Sequence, residues 1–406
     1  MKNKKIKSID LFAGCGGLMD GFEQSGYYDT VAAVEWEKAP CKNLENRLKS
    51  KWEYKDAEQR VLRFDIQRTE ELFSGWVNDP DYGSSVGLDK LINNVGGIDV
   101  IIGGPPCQAY SIAGRVRDEN GMKDDYRNYL FESFVKIVDY YKPKAFVFEN
   151  VPGLLSACPG NVPVRCRIYE AFKEIGYDIR TPEDLKKSVY CAEDFDVPQK
   201  RNRIIIIGTR HDSDYDTEEF YNSLTEHKSS NSHKTVRDAI GNLPKLFPKK
   251  VIEMIGRNHV SHEQLSGEKI DMHIPRYNGE RDQKLFAEWL GNNMNKASQK
   301  EKMEIYTRVT GHTSNHIKYR NLEWDKPSPT IVAHLHKDGY MFIHPDIDQL
   351  RTITIREAAL LQSFPMDYKF VASNPYCYKM IGNAVPVLFA KGIAEAMYDV
   401  LKTKEK

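Results

Sequence analysis

Residues 6–35 constrain the chain more than any other stretch. Ile6 to Phe12 is a largely apolar run that reads as a strand, Ala13-Gly14-Cys15-Gly16-Gly17 is a glycine-rich turn, and Leu18 to Ser25 reads as a helix ended by Gly26. Val31 to Glu35 is then a second strand with an acid at its end. Strand, glycine turn, helix, strand, acid is the βαβ opening of a Rossmann-like sheet. There the glycines let a ligand come close to the backbone, and the terminal carboxylate takes the ribose hydroxyls of an adenosine-containing cofactor. A purely structural turn would need the same glycines. The third glycine comes too early for Gly-x-Gly-x-x-Gly, and no Gly-Lys-Ser/Thr phosphate loop follows, so a cofactor without a pyrophosphate fits better. Phe64-Asp65-Ile66 offers another acid at a strand end, able either to meet an adenine amino group or to cap a helix over Arg68 to Phe73.

The same rhythm continues downstream. Ile98 to Ile102 is a short strand followed by Gly103-Gly104-Pro105-Pro106-Cys107, two glycines for close approach and two prolines that stiffen the turn. A cysteine just past a strand end lies where open α/β sheets bind ligands, although a lone Pro-Cys also suits an ordinary tight loop. Asn128 to Tyr141 has helical apolar spacing, and Lys144 to Phe148 is a strand that runs into Glu149-Asn150. Val197-Pro-Gln-Lys-Arg-Asn-Arg203 feeds the apolar strand Ile204 to Gly208. From about Arg210 to Lys326 the βα alternation is lost, and regularity returns with helices from Thr354 to Ser363 and, at the end, to Leu401.

Composition narrows the class. The chain has 406 residues, 40% of them hydrophobic, and no apolar run near the roughly 18 residues of a membrane span; a cytoplasmic location with no membrane partner is the expectation. Seven scattered cysteines, never spaced Cys-x-x-Cys, argue against a disulfide framework and a zinc site and leave any of them a candidate reactive thiol. Eight of the eleven histidines fall in the irregular segment, but His259-x-x-His262 and His312-x-x-x-His316 lack accompanying cysteines, and no metal is expected. The formal net charge of zero hides a split: Lys228 to Arg320 holds 17 Lys/Arg against 10 Asp/Glu. Such a segment suits a lobe that grips a polyanion, or a solvated basic face.

A thiol, a carboxyl and arginines at one sheet edge make sense for alkylating an electron-poor aromatic carbon. A thiolate adds to a polarised double bond, an acid protonates the ring nitrogen, and a guanidinium holds the ring oxygen. The ordered motifs Asp10-Leu-Phe-Ala-Gly-Cys-Gly-Gly17, Gly104-Pro-Pro-Cys-Gln108, Phe148-Glu-Asn-Val151, Gln199-Lys-Arg-Asn-Arg203, Lys326-Pro-Ser-Pro-Thr-Ile331 and Gly382-Asn-Ala-Val-Pro386 resemble those of the DNA cytosine-5 methyltransferases of bacterial restriction-modification type. The resemblance implies a Rossmann-like S-adenosylmethionine-dependent methyltransferase fold with an inserted target-recognition domain. The catalytic domain would span 1–210 and be completed by 350–406, with 211–349 as the recognition domain and hinge.

By that resemblance Cys107 attacks carbon 6 of a flipped-out cytosine, Glu149 holds and protonates ring nitrogen 3, Arg203 binds the ring oxygen and Arg201 supports the site. Phe12, Gly14, Gly16, Glu35, Trp36, Asp65, Ile66, Leu130, Asn383 and Val385 match cofactor-contacting positions, and Pro106 shapes the pocket between cysteine and cofactor. The loop from about Gln108 to Asp125 resembles the mobile loop that closes over DNA, but has Ala113 where relatives often have serine. Double-stranded DNA is the expected partner, with a cognate restriction endonuclease, if one exists, acting separately.

Two rivals keep the fold: a transfer-RNA cytosine-5 methyltransferase, which tends to carry threonine where Ser111 stands and a smaller recognition lobe, and a catalytically silent DNA-binding homologue, which would have no chemical need for the thiol. A nucleotide-dependent oxidoreductase would rest on the glycine turn alone. If the basic segment meets phosphates, DNA affinity falls steeply with salt, by about 0.9 decades per decade of salt for each phosphate contact. A salt titration of duplex binding measures this slope, and a flat response rules out that role for the segment.

Overall fold

The computed structural model describes residues 4–106, 130–230, 233–255, 258–315 and 317–403. They form two compact units: 1–196 with 201–232 and 384–406, and 197–200 with 233–383.

The first unit is built on an eight-stranded sheet. Its strands are β1 (Ile6–Leu11), β2 (Tyr28–Glu35), β3 (Val61–Arg63), β4 (Val100–Gly103), β5 (Ala145–Asn150), β6 (Tyr177–Asp178), β7 (Val189–Cys191) and β8 (Asn202–Arg210). The spatial order is β3-β2-β1-β4-β5-β8-β6, with β7 also paired to β8. β3 through β5 run parallel, and β8 returns antiparallel to β5, with Ile204 opposite Asn150 and Ile205 opposite Glu149. β4 and β5 are buried along their whole length, as strands covered on both faces must be, which is why they read as unbroken apolar runs rather than alternating ones. Helices α1 (Gly17–Gln24), α2 (Lys38–Ser50), α3 (Leu130–Tyr141), α4 (Val164–Glu174) and α5 (Thr217–Glu226) follow in sequence. The C-terminal helix Val387–Thr403 packs on α1 and α5.

Strand order reverses between β1 and β4, because β2 and β3 extend to one side and β4 and β5 to the other. The loops that leave β1 and β4 therefore diverge and open a crevice at the carboxyl ends of the strands. Because β8 is antiparallel, its first residues, not its last, arrive at that edge.

In the second unit, Gln199–Lys200 pairs in parallel with Ser328–Pro329, and Leu246–Ile255 forms a hairpin with Asn258–Gln264. Phe286 and Trp289 on the helix Glu280–Gly291 make a small core with Met294, Ile317 and Ile343. The helix Gln299–Thr310 is capped at its start by Ser298 and Glu301 in a reciprocal capping box. Residues 350–383, which the sequence grouped with the catalytic part, pack inside this unit, and residues 211–230, grouped with the recognition part, pack inside the first. Buried long-range bonds account for the former: the Gln199 side chain donates to the Leu361 carbonyl and the Gln362 side chain and accepts from the Ile331 amide.

A buried polar group sits at the base of the second unit. Arg351 grips Glu357 through two 2.7 Å bonds, and His344 lies 3.5 Å from the same carboxylate. Burial alone would raise the Glu357 pKa, but Arg351 and His344 hold it well below the usual carboxylate range. Burial, with Arg351, pushes His344 down to about 3 against the pull of Glu357, and burial pushes His262 down to about 4 and lowers His273. These histidines stay neutral in the fold while the unfolded chain takes up protons below about pH 6.5. Their contribution is thus fully present above that pH and is lost as pH falls, and the depressed Glu357 acts in the same direction at lower pH. We expect unfolding free energy to drop between pH 7.5 and 5.5, by up to about 1.4 kcal/mol per pH unit for each histidine. Urea unfolding followed by tryptophan fluorescence checks this, and equal stability at both pH values would contradict it.

Candidate active site

The crevice is walled on one side by the turn after β4. A Cβ at Gly103 would collide with the Leu11 carbonyl, so β4 lies tight against β1 there; a Cβ at Gly104 would sit 2.8 Å from Glu149 Oε2. The missing side chain at 104 is what lets the carboxylate come up against the turn. Asn150 then fixes the turn from β5, its Nδ2 donating to the Pro105 carbonyl at 3.2 Å while its Oδ1 accepts from the Val151 amide at 2.8 Å. Pro105 is buried and Pro106 is exposed. Cys107 follows directly, but it and the loop 108–125 lie outside the described residues. Asn150 was not singled out as a site residue; its place beside Glu149 at the end of a buried strand was the available signal.

Glu149, next to last in β5, is 8% exposed, and its Oε1 meets Arg203 Nε at 2.8 Å. The pairing follows from topology: the first residues of β8 lie opposite the last of β5. Arg203 also donates from Nη1 to the Asn202 carbonyl. The arrangement presents a carboxylate and a guanidinium side by side, suited to a planar ligand with an acceptor oxygen next to a ring nitrogen. Arg201 behaves differently. It is buried, at 1% exposure, and its Nη2 donates to the Ala384 carbonyl at 3.0 Å. Burial and Arg203 push its pKa down while Glu149 pulls it up.

The other wall is the turn after β1. Phe12, Gly14 and Gly16 have φ of +58°, +55° and +82°, the left-handed region that glycine enters freely and phenylalanine does not. Apart from its own chain neighbours, no described residue has a heavy atom within 4 Å of where a Gly14 Cβ would stand, leaving open space over the backbone. Glu35 ends β2 and underpins the turn. Its Oε2 accepts from the Gly14 amide at 2.9 Å, and its Oε1 accepts from the Trp36 and Glu37 amides at 2.9 and 2.8 Å. Burial raises its pKa, and these amides oppose the shift. With three amides on its roughly four lone-pair sites, the carboxylate keeps acceptor capacity on Oε2 for a ligand hydroxyl, and the neighbouring Trp36 is 52% exposed.

At the end of β3, the Phe64 amide donates to the Glu35 carbonyl, which brings Ile66, buried, and Asp65 beside Glu35. Asp65 Oδ1 caps the turn by accepting from the Gln67 amide at 3.0 Å. Leu130 opens α3 and is buried. Val385 is brought to the glycine turn directly, since a Cβ at Gly17 would collide with its carbonyl oxygen. Asn383 is exposed and belongs to the second unit. Asp10, also not singled out, is buried on β1, and burial raises its carboxyl pKa well above normal. Open backbone, a carboxylate with room for a hydroxyl and an exposed Trp36 fit an adenosine-containing group. His262, one of the histidines weighed as a metal ligand, has its Nε2 at 2.8 Å from the Gln349 carbonyl.

Comparison with known proteins identifies the family. The family model described as C-5 cytosine-specific DNA methylase matches residues 6–399. The chain is 36% identical to the type II methyltransferase M.Bpa9945I of Bacillus paralicheniformis, over 97% of this chain and 98% of that one. It is 30% identical to M1.HphI of Haemophilus parahaemolyticus, over 96% and 86% of the two chains. Among solved structures, a putative DNA modification methyltransferase encoded within an E. coli prophage superposes with a TM-score of 0.61 at 24% identity, covering 98% of this chain and all of that one. S. pombe Dnmt2 gives 0.54 at 15% identity, over 99% and 100%. Both share the Rossmann-like fold. The chain belongs to the C-5 cytosine-specific DNA methylase family and is a DNA (cytosine-5-)-methyltransferase.

Proposed function

We propose that this enzyme methylates carbon 5 of a cytosine flipped out of a specific duplex DNA sequence, using S-adenosylmethionine and a covalent Cys107 adduct. The observation that carries the reading is the Glu149–Arg203 pair, 2.8 Å apart and directly behind Gly104 and Pro105. Cytosine displays an acceptor oxygen beside ring nitrogen 3, the pattern that an acid and a guanidinium held side by side can recognise. Entry of the base exchanges the 2.8 Å ion pair for two ring contacts, Arg203 to the oxygen and Glu149, which takes a proton from water as the pair opens, to nitrogen 3.

Addition then balances simply. The Cys107 thiolate forms a bond to carbon 6, the ring double bond shifts its electrons, and nitrogen 3 takes the proton of Glu149. Carbon 5, now an enamine carbon, takes the methyl group, and the electron pair of the broken methyl–sulfur bond stays on the donor sulfur, which leaves as a neutral thioether. A water molecule takes the carbon 5 proton, the C–H pair restores the ring double bond, the C–S pair returns to Cys107 as thiolate, and nitrogen 3 gives its proton back to Glu149. The bound donor supplies an electrophilic methyl group on a sulfonium. Around it, Glu35 holds a ribose hydroxyl, the glycine turn admits the methionyl part, and Pro106 bounds the space between donor and Cys107. Flipping costs a few kcal/mol, offset by phosphate and base contacts from the basic segment. The second unit is then the recognition domain. The type II names of the relatives support a restriction-modification setting, in which any cognate nuclease acts separately.

Transfer of label from S-adenosylmethionine to duplex DNA but not to transfer RNA tests the substrate. Cys107→Ser should abolish transfer while leaving duplex binding within about twofold, and substantial residual activity would exclude the covalent route. Glu149→Gln should lower transfer at least about a hundredfold with donor binding unchanged. Duplexes with 5-fluorocytosine at the target should trap a covalent complex stable to denaturing gels, since fluorine cannot leave as the proton does; absence of that complex under turnover conditions counts equally against the adduct.

A further inference from the structure

The first unit receives the chain back from the second at two places, Arg201 and Ala384. These two residues are hydrogen-bonded to each other, Arg201 Nη2 to the Ala384 carbonyl at 3.0 Å, in a site where Arg201 is 1% exposed. The bond has a functional residue on either side. Towards the base, Arg201 stands two residues before Arg203, whose Nε meets Glu149 Oε1 at 2.8 Å. Towards the donor, the residue after Ala384 is Val385, whose carbonyl oxygen is packed so closely on Gly17 that no side chain fits between them. Gly17 in turn opens α1 directly behind Gly14 and Gly16.

We propose that Arg201 is a positioning residue that holds the Ala384–Val385 backbone against the glycine turn and so joins the Glu149–Arg203 pair to the donor site. The inference rests on the reading of the glycine turn as the methyl-donor site. Arg201 does not touch the base in this account. Buried against a main-chain carbonyl, it sets the shape of the donor cradle, and a planar guanidinium does this where a lysine, with one point of charge on a flexible stem, does so only partly. Val385 has no polar side chain of its own with which to fix that backbone; the fixing comes from Arg201 on one side and from the bare Gly17 on the other.

The test is equilibrium binding of S-adenosylmethionine to the full chain without DNA, by calorimetry, beside duplex binding. Arg201→Met should weaken donor binding about tenfold or more, the loss expected when a charged donor leaves a buried carbonyl, and Arg201→Lys should recover part of it. Gly17→Ala, which pushes the same backbone from the opposite side, should weaken donor binding similarly, with duplex affinity within twofold of wild type in all three. Donor affinity within twofold of wild type in Arg201→Met and Gly17→Ala, alongside lost methyl transfer, would overturn the link and return Arg201 to the base side. Should Arg201→Met fail to fold in a circular dichroism melt, Arg201→Lys and Gly17→Ala decide by the same readings. A wild-type chain that methylates DNA but binds the donor elsewhere, with Glu35→Ala leaving donor affinity intact, would instead overturn the donor-site reading beneath the proposal.

Discussion

The reversal of strand order between β1 and β4 is the constraint on which the site depends. It sets the glycine turn after β1 and the Gly104–Pro106 turn after β4 on either side of one crevice, at the edge where strand ends leave backbone amides and carbonyls to be used by a ligand. A parallel sheet can place only its carboxyl ends at that edge. The antiparallel β8 adds the opposite end of a strand, and this brings Arg203 alongside Glu149. In the proposed reaction the base side draws on β4, β5 and β8, and the donor side on β1, β2 and β3. The topology thus offers the two neighbouring sites that such a transfer requires.

Packing, more than chemistry, decides how closely the two sites approach. Gly103 is bare because β4 presses on Leu11, Gly104 because Glu149 occupies the space of its side chain, and Gly17 because the Val385 carbonyl does. Interiors packed to native density allow no slack at such points. Asn150 and Arg201 then act on main-chain carbonyls, of Pro105 and Ala384, so that the turn before Cys107 and the backing of the glycine turn are each fixed by a buried side chain.

Much of this was legible in the sequence because the candidate site residues stand at strand ends, and strand ends announce themselves by the change from apolar run to Gly, Pro or acid. Phe148-Glu-Asn-Val151 and Gln199-Lys-Arg-Asn-Arg203 could be read in this way, and so could the βαβ order of residues 6–35. The bond from Arg201 to the Ala384 carbonyl could not, since it spans 183 residues and leaves no local pattern. Nor could the second unit be read. Its helix Gln299–Thr310 has no fully buried residue and hence no strong apolar period, and its base is held by Arg351, Glu357 and Gln199, polar residues that a hydrophobic pattern assigns to the surface. For the same reason residues 350–383 gave no sign of packing with that unit rather than with the sheet.

The central claim is that the paired walls of this crevice methylate carbon 5 of cytosine within one DNA sequence. Bisulfite sequencing of total DNA from a host lacking other cytosine methylation and expressing this chain tests it most directly. The account predicts protected cytosines confined to a single recurring sequence context, absent when Cys107→Ser is expressed instead. DNA converted throughout, with protection found only in transfer RNA, would contradict it.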